Sequence, residues 1–474
     1  MRKASMQRWA QLISWILVLL CHAANGQGST DAAPPEFRAA VDDIATKALA
    51  VTGTSSVSLA VVLDGQISYV HAYGTARLDP LQDASPRTRY SLGSVSKQFT
   101  AAAVLKLQEE GKLSLDDPVS RFLPTLTRAH DITLRQLLSH TSGYRDYWPQ
   151  DYVPPFMLEP LTPEQLLEHW AMRPLDFEPG TQWQYSNTNF VAAALVVEKV
   201  SGEPLIQFLR ENIFTPAGMS DIADVDDGPL GHGDAAGYLR YGVGPLHSAP
   251  KEARGWLFGA AELAMTAKDL AKWDTAMIMN RVLSPASYRE METETRLKNG
   301  AGTGYGLGIG VRSLAGHRML EHGGEVSGYS AENLVFPDDR VAIAVLTNED
   351  MSNAPSWIAH AIANLLIPEP ASERDSALEQ ARAIFRALQQ GRIDRSLFSA
   401  NANSYFTEQA ISDFASTLAP LGHWIAFEPA GQQQRGGMTY RSYTVKFAEK
   451  MLDVWVRVLP DGKVEQYQIA AEFR

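Results

Sequence analysis

A serine and a lysine three residues apart, Ser94 and Lys97, open an amphipathic segment. Apolar residues recur behind them at three- and four-residue steps, which predicts an α-helix, and Gly111 supplies a C-terminal stop. Residues three apart are neighbours on a helix, so the lysine amine can reach the serine hydroxyl near the helix N-terminus. Because a desolvated lysine can act as a base, the pair predicts an acylatable serine. The alternative is an ordinary helix start with a capping serine.

Tyr185 and Asn187 form a second cluster, in a predicted loop that feeds an apolar helical run over residues 190–200. A tyrosine hydroxyl in such a loop can relay protons between a serine and its leaving group. An asparagine amide two residues later can hold a substrate carbonyl. The alternative is that Tyr185 packs in the core and Asn187 caps the helix.

A third cluster, His322, Gly323, Gly324 and Glu325, is predicted to lie on a glycine-rich strand edge. Glycines there let a substrate approach the backbone, whose N–H groups can join that of Ser94 as an oxyanion hole. The alternative is an ordinary strand-end histidine beside a β-bulge.

In this order and at these separations, the three clusters resemble the serine β-lactamase and penicillin-binding-protein superfamily. The nearest pattern is the branch with class C β-lactamases, D,D-peptidases and type VIII-like esterases. Residues 137–143, Leu-Leu-Ser-His-Thr-Ser-Gly, and residues 305–308, Tyr-Gly-Leu-Gly, are similar to further phrases of that branch. The resemblance covers about Phe37 to Ile367 and implies a structural role for His140.

The resemblance also implies a role for each residue of the three clusters. The catalytic residues are Ser94 as nucleophile, Lys97 as its base partner and Tyr185 as general acid and base. The substrate-binding residues are Asn187, which positions the acyl group, and His322, Gly323, Gly324 and Glu325. The backbone N–H groups of Ser94 and Glu325 form the implied oxyanion hole.

His322 occupies the place where many β-lactamases have a lysine. A lysine carries a permanent charge that can hold a β-lactam carboxylate, whereas an unperturbed histidine is mostly neutral at pH 7. Efficient β-lactamase activity is therefore not expected. Esterases and D-aminoacyl peptidases of the superfamily often carry His-x-Gly at this place, so the resemblance implies an ester or a D-amino-acid peptide or amide as substrate. Two alternatives are a class C-type β-lactamase and a non-catalytic protein that binds peptidoglycan fragments or a partner.

Other classes of function lack their motifs in this chain. The Gly-x-Ser-x-Gly elbow of α/β-hydrolases is absent, as are His-Glu-x-x-His, cysteine pairs, a dinucleotide fingerprint and a phosphate loop. A net charge of −12 argues against nucleic acid as partner. We expect a small-molecule substrate and neither cofactor nor metal, and the oligomeric state stays open.

Residues 1–26 are predicted to be a secretory signal peptide, because basic residues precede an apolar stretch that ends in small residues. The stretch is short for a membrane span, and no second candidate follows. The single cysteine, Cys21, lies inside it, and a lipoprotein anchor there is disfavoured because Leu20 precedes it. An exported protein, periplasmic or secreted and without disulfides, is the expectation.

The fold class predicted for residues 35–367 is α/β (α+β), with an antiparallel sheet flanked by helices plus a helical lobe. One hairpin turns at Asp64-Gly65, a second joins Asn333–Phe336 to Val341–Leu346, and residues 305–311 are predicted to be a further strand. Helices follow at Thr162-Pro163 and over Ala354–Leu366. The three clusters should then meet at the seam between sheet and lobe, a usual place for a pocket.

Prolines within residues 368–374 predict a linker to a second domain, residues 375–474. Helices are expected over 375–390 and 409–418, and strands over 439–447, 452–459 and 464–471. Helices followed by a curved antiparallel sheet resemble the NTF2-like cone. Such a domain could hold a ligand in its cavity or serve as a packing or dimerisation module.

Overall fold

The computed structural model describes residues 32–367, 371–435 and 438–471. The predicted signal peptide, residues 1–26, lies outside them. A seven-stranded antiparallel sheet has the spatial order β3-β2-β1-β12-β11-β10-β9. Its strands are β1 Ser56–Leu63, β2 Gln66–Leu78, β3 Leu81–Asp83, β9 Gly310–Leu314, β10 His317–Val326, β11 Tyr329–Phe336 and β12 Val341–Thr347. The two strand-rich ends of residues 35–367 thus build one antiparallel sheet, as predicted.

In the sequence, the shorter strands and most of the helices lie between β3 and β9. The short strands are β4 Tyr90–Ser91, β5 Ile222–Asp224, β6 Tyr238–Arg240, β7 Leu246–Ser248 and β8 Leu263–Met265. The helices are α1 Pro35–Thr52, α2 Lys97–Glu109, α3 Leu134–Leu138, α4 Pro163–Trp170, α5 Asn187–Ser201, α6 Leu205–Leu209, α7 Ala267–Ile278, α8 Pro285–Met291 and α9 Ala354–Leu366.

Both faces of the main sheet are covered by helices. Val57, Leu59 and Val61 of β1 pack against α1 and α9, whereas Ala60 and Val62 share a core with α2, α5 and α7. Side chains alternate between the faces of a strand, so a strand covered on both sides is apolar at nearly every position. Helices α2 to α6 pack on one another and form the predicted helical lobe. The predicted fold class is confirmed.

Short sequence motifs correctly predicted a hairpin turn, a helix cap and the bounds of one helix. Asp64 and Gly65 both have positive φ, 50° and 70°, as a two-residue hairpin turn requires. Thr162 caps α4 and receives a hydrogen bond from the N–H of Gln165. Helix α9 has the predicted bounds, Ala354–Leu366.

The strand predicted over residues 305–311 is wrong, because β9 begins only at Gly310. Gly304 and Gly308 have φ of +65° and +72°, values that an extended strand does not contain. Gly308 also lies against the backbone carbonyl of Lys97, where a Cβ would approach it to 2.7 Å. The glycines therefore shape a tight loop that packs against the start of α2.

The C-terminal region has helices followed by a four-stranded antiparallel sheet, in the predicted order. The helices are α10 Ala371–Gln389, α11 Ala400–Tyr405 and α12 Glu408–Leu418, and the strands are β13 Ala426–Arg435, β14 Met438–Lys446, β15 Met451–Val458 and β16 Val464–Ala471. Helix α10 begins within residues 368–374, the predicted linker, and β13 was not predicted. The region has its own core around Phe385, Phe427 and Val454. Its likeness to the NTF2-like cone stays a prediction.

No helix in the three described stretches is both long enough and apolar enough to cross a membrane.

Candidate active site

Ser94 lies in a 3₁₀ turn, Gly93–Ser96, that runs directly into α2. It therefore precedes the α-helix instead of standing in its first turn. The Lys97 Nζ lies 3.0 Å from the Ser94 Oγ, so the predicted contact is present. Lys97 is fully buried, and burial lowers its pKa to about 7.

The Lys97 amine has two further partners that accept hydrogen bonds and cannot donate them. Its Nζ donates to the Asn187 Oδ1 at 2.7 Å and to the Ala260 carbonyl at 3.0 Å. A neutral amine has two N–H bonds and one lone pair. When both N–H bonds point to these acceptors, the lone pair faces the Ser94 hydroxyl and can take its proton.

Asp146 fixes the orientation of Asn187. Its carboxylate accepts a hydrogen bond from the Asn187 backbone N–H at 2.9 Å and from the side-chain Nδ2 at 3.3 Å, which turns Oδ1 toward Lys97. Burial raises the pKa of Asp146 to about 6. Its negative charge in turn raises the pKa of Lys97, against the effect of burial. Asp146 was not predicted as a site residue, although it follows the Leu-Leu-Ser-His-Thr-Ser-Gly phrase by three residues.

Tyr185 packs its ring 4.9 Å from the Lys97 Nζ. Burial raises the pKa of Tyr185, and the neighbouring Ser94 hydroxyl opposes part of this shift. The Tyr185 hydroxyl is buried near Ser94 and has no hydrogen bond of ordinary length among the described residues. A tyrosine held neutral in this way can give its proton to a leaving group.

The His140 ring packs against the ring of Tyr185. The two ring centroids are 4.3 Å apart, and the His140 Nδ1 accepts a hydrogen bond from the Ser186 N–H at 3.2 Å. Burial lowers the pKa of His140 well below its usual value, so the ring is neutral. These contacts agree with the structural role that the resemblance implies.

His322 is held neutral by its surroundings. Its Nδ1 lies 2.7 Å from the Gly323 carbonyl, an acceptor, so this nitrogen carries the proton and Nε2 accepts from the Tyr305 hydroxyl at 2.8 Å. Burial lowers the pKa of His322 to about 3, and the charge of Lys97 acts in the same direction. Tyr305 was not predicted as a site residue, although it begins the Tyr-Gly-Leu-Gly phrase.

The backbone N–H of Glu325 points toward the 3₁₀ turn Gly93–Ser96, which carries Ser94 and is called the nucleophile turn below. Val326 and Tyr329 close a two-residue hairpin, so they form a hydrogen-bonded pair, and the next pair, Glu325 with Ser330, is non-hydrogen-bonded. The Glu325 N–H therefore faces away from β11. It faces Gly93, where a Cβ would lie 2.5 Å from the Glu325 nitrogen.

The glycines of the third cluster differ in their surroundings. A Cβ on Gly324 would collide with the Leu92 carbonyl, so this residue must be glycine for β10 to approach the nucleophile turn. Gly323 is exposed, and a Cβ there would meet no atom closer than 3.8 Å. In the described part of the chain, no group of three or more His, Cys, Asp or Glu residues is placed to hold a metal ion.

The geometry agrees with comparison to known proteins. The model of the Beta-lactamase family matches residues 41–364. The chain belongs to the beta-lactamase family. It is a serine hydrolase of that family, which confirms the resemblance drawn from the sequence motifs.

The chain is similar to a penicillin-binding protein, a D-aminopeptidase and a D-stereospecific amidohydrolase. It is 27% identical over 396 residues to penicillin-binding protein 4* of Bacillus subtilis, a match covering 78% of this chain and 82% of that protein. It is 29% identical over 327 residues to a D-aminopeptidase of Brucella anthropi, covering 67% of this chain and 60% of the relative. The D-stereospecific amidohydrolase from Streptomyces sp. has a TM-score of 0.60 and 28% identity, over 70% of this chain and 99% of that one. The chain thus spans about three fifths of the D-aminopeptidase's length.

Gly93→Ala should lower kcat/KM by about 10²–10³-fold, because the added methyl group displaces the Glu325 N–H from the Ser94 site. Gly111→Ala is the matched control, since Gly111 also has positive φ but a Cβ there meets nothing within 4 Å. Hydrolysis of p-nitrophenyl acetate and thermal unfolding should be measured for both variants. Equal losses of activity would contradict the oxyanion assignment.

The pH dependence of kcat/KM should follow the protonation of the Lys97 amine. The base must be neutral, so activity is expected to fall tenfold per pH unit below about pH 7, the pKa of Lys97. Asp146→Asn removes the carboxylate that raises this pKa, so the acid limb should move to lower pH. A pH profile of both proteins tests this, and a limb that stays or moves to higher pH would disprove it.

Proposed function

We propose that this protein is an exported enzyme that forms an acyl-enzyme on Ser94 and hydrolyses D-amino-acid amides or peptides, or simple esters. The observation that carries the choice of substrate is the neutral state of His322 in the position where many β-lactamases have a lysine. Its buried ring, with a pKa lowered to about 3, offers no positive charge to a β-lactam carboxylate.

Acidic side chains near the oxyanion position strengthen this choice. Glu325 and Asp350 are neighbours, and burial raises the pKa of Glu325 while Asp350 opposes part of this shift. Burial also raises the pKa of Asp350 to about 7, with Glu325 and Glu252 adding to the shift. At neutral pH the pair retains negative charge, although Asp350 is partly protonated. That charge repels a substrate carboxylate and attracts an ammonium group, which a free D-amino-acid amide carries. The similarity to a D-aminopeptidase and a D-stereospecific amidohydrolase supports the same substrate class.

The proposed reaction uses the contacts of the site in sequence. Neutral Lys97 takes the Ser94 proton as Oγ attacks the substrate carbonyl, and the N–H groups of Ser94 and Glu325 stabilise the oxyanion. As the carbon–nitrogen or carbon–oxygen bond breaks, Tyr185 gives its proton to the leaving group and recovers one from Lys97. Water then attacks the acyl-enzyme, with its proton passing back through the same groups, and the acid product leaves.

The first experiment compares three substrates on the purified mature chain, with Ser94→Ala beside it. D-alaninamide, N-acetyl-D-alaninamide and a penicillin are each incubated, with ammonia or drug loss and intact protein mass followed over time. We expect Ser94-dependent release of ammonia, faster from the free amine. Ser94-dependent penicillin turnover would establish the class C-type alternative. A persistent penicillin adduct would indicate a peptidase of the penicillin-binding type.

A second experiment addresses the remaining alternatives. Absence of turnover and adduct with these compounds and with p-nitrophenyl esters would favour a non-catalytic binding protein. Export is tested separately, by N-terminal sequencing of the chain recovered from periplasm or medium after expression of the full sequence. An intact amino terminus in the cytoplasm would contradict the signal peptide.

A further inference from the structure

A cleft of about 480 Å³ opens beside the catalytic residues, and Tyr185 and Asp146 are part of its lining. We call it the indole cleft, because Trp148 and Trp170 line it as well. Its volume lies in the range of about 300–1,000 Å³ that small-molecule sites occupy. The surface that it presents is mostly apolar. The cleft thus adjoins the candidate active site through Tyr185 and Asp146 and is large enough for a substrate side chain.

The lining contains flat, firmly held groups. Trp170 is buried, and the Arg173 guanidinium stacks on its ring at 4.3 Å. Arg173 also donates to the His169 carbonyl at 2.8 Å, which fixes its orientation. Trp148 is 49% exposed, a large fraction for an indole beside a catalytic tyrosine. Flat indole and guanidinium surfaces favour a planar aromatic ligand over a branched aliphatic one.

The charged groups that line the cleft all make hydrogen bonds within the protein, and two of them form an ion pair. Arg145 and Asp176 form an ion pair at 2.9 Å. Asp146 is bound to Asn187, as described above, and Arg173 to His169. A ligand group in the cleft therefore meets mainly apolar and aromatic surface, because Arg173 and Asp146 already hydrogen-bond to groups of the protein.

We propose that the indole cleft binds an uncharged aromatic side chain on the acyl part of the substrate. The inference rests on the proposed function for its reaction and goes beyond it by naming the side chain. The acyl part is favoured because Asp146, which lines the cleft, also holds Asn187, and Asn187 is the residue expected to position the acyl group. A D-amino-acid amide with an aromatic side chain offers a ring to the cleft and an ammonium group to the acidic pair at Glu325.

The experiment compares D-phenylalaninamide with D-alaninamide, two substrates with the same small leaving group, by ammonia release. The wild-type chain should prefer the aromatic substrate in kcat/KM, and Trp148→Ala should lower that preference about 10- to 100-fold. Trp357→Ala is the control, since Trp357 is similarly exposed at 44% but lies on α9, on the opposite face of the sheet. An unchanged preference in Trp148→Ala would overturn the proposal.

Two further measurements distinguish ligand binding in the cleft from the hydrolytic reaction. D-alanine anilide carries its aromatic ring on the leaving group, and a Trp148 effect confined to this compound would overturn the acyl assignment. Calorimetric titration of Ser94→Ala with D-phenylalaninamide measures binding without turnover. Trp148-dependent binding without wild-type hydrolysis would refute the proposed function and support the cleft, whereas hydrolysis with Trp148-independent binding would refute the cleft alone.

Discussion

Ser94→Ala and Lys97→Ala are each expected to reduce turnover by about 10³-fold or more, the largest effect in the molecule. The first removes the atom that becomes acylated in the proposed reaction, and the second removes the amine whose lone pair faces that atom. The effects should not add in the double variant, because either change alone stops the same step.

The measurement is kcat for each single variant and for the double variant, on the best substrate found. Lys112→Ala is the control, an exposed lysine beyond the end of α2. Intact mass should show an acyl adduct with an activated ester in the wild type and none in Ser94→Ala. Unchanged turnover in either single variant would remove the proposed mechanism.

Tyr185→Phe should lower kcat by about 10²–10⁴-fold, the usual contribution of a positioned general acid or base. Stability should not fall with activity. The lost hydroxyl is buried and has no hydrogen bond of ordinary length among the described residues, so its removal relieves a desolvation cost instead of breaking a bond. We expect the Tm of this variant to be equal to or above that of the wild type.

Tyr288→Phe is the matched control, since Tyr288 is also buried but lies on α8, against Trp273. It should keep full activity. Rapid-mixing measurements with an activated ester would show whether Tyr185→Phe slows acylation, deacylation or both. Loss of activity in parallel with loss of folding would contradict a chemical role for the hydroxyl.

Features encoded over a few residues were accessible from the sequence. The contact between Ser94 and Lys97 follows from helical spacing, and the turn at Asp64-Gly65 and the cap at Thr162 follow from local preferences. The motif order then brought Tyr185 and His322 to the same site. Such features depend on neighbouring residues, and so a sequence displays them directly.

Features that depend on tertiary approach were not accessible. The Ala260 carbonyl reaches Lys97 from 163 residues away, and no residue type marks a backbone acceptor. Asp146 orients Asn187 through hydrogen bonds. A single aspartate in a predicted loop gives no indication of such a long-range contact. Alternation around residues 305–311 suggested a strand, but the close approach of Gly308 to the Lys97 carbonyl requires a left-handed residue.

The pairing of β1 with β12 has a consequence for synthesis of the chain. Val57 pairs with Thr347, so the centre of the main sheet joins segments that lie almost 300 residues apart. The hairpin of β1 and β2 leaves the ribosome early, and β1 then carries an unpaired apolar edge until β12 emerges. Long-range pairing of this kind slows folding, and an open edge invites association with other chains. We therefore expect fragments that end before residue 341 to be recovered with chaperones or as aggregates.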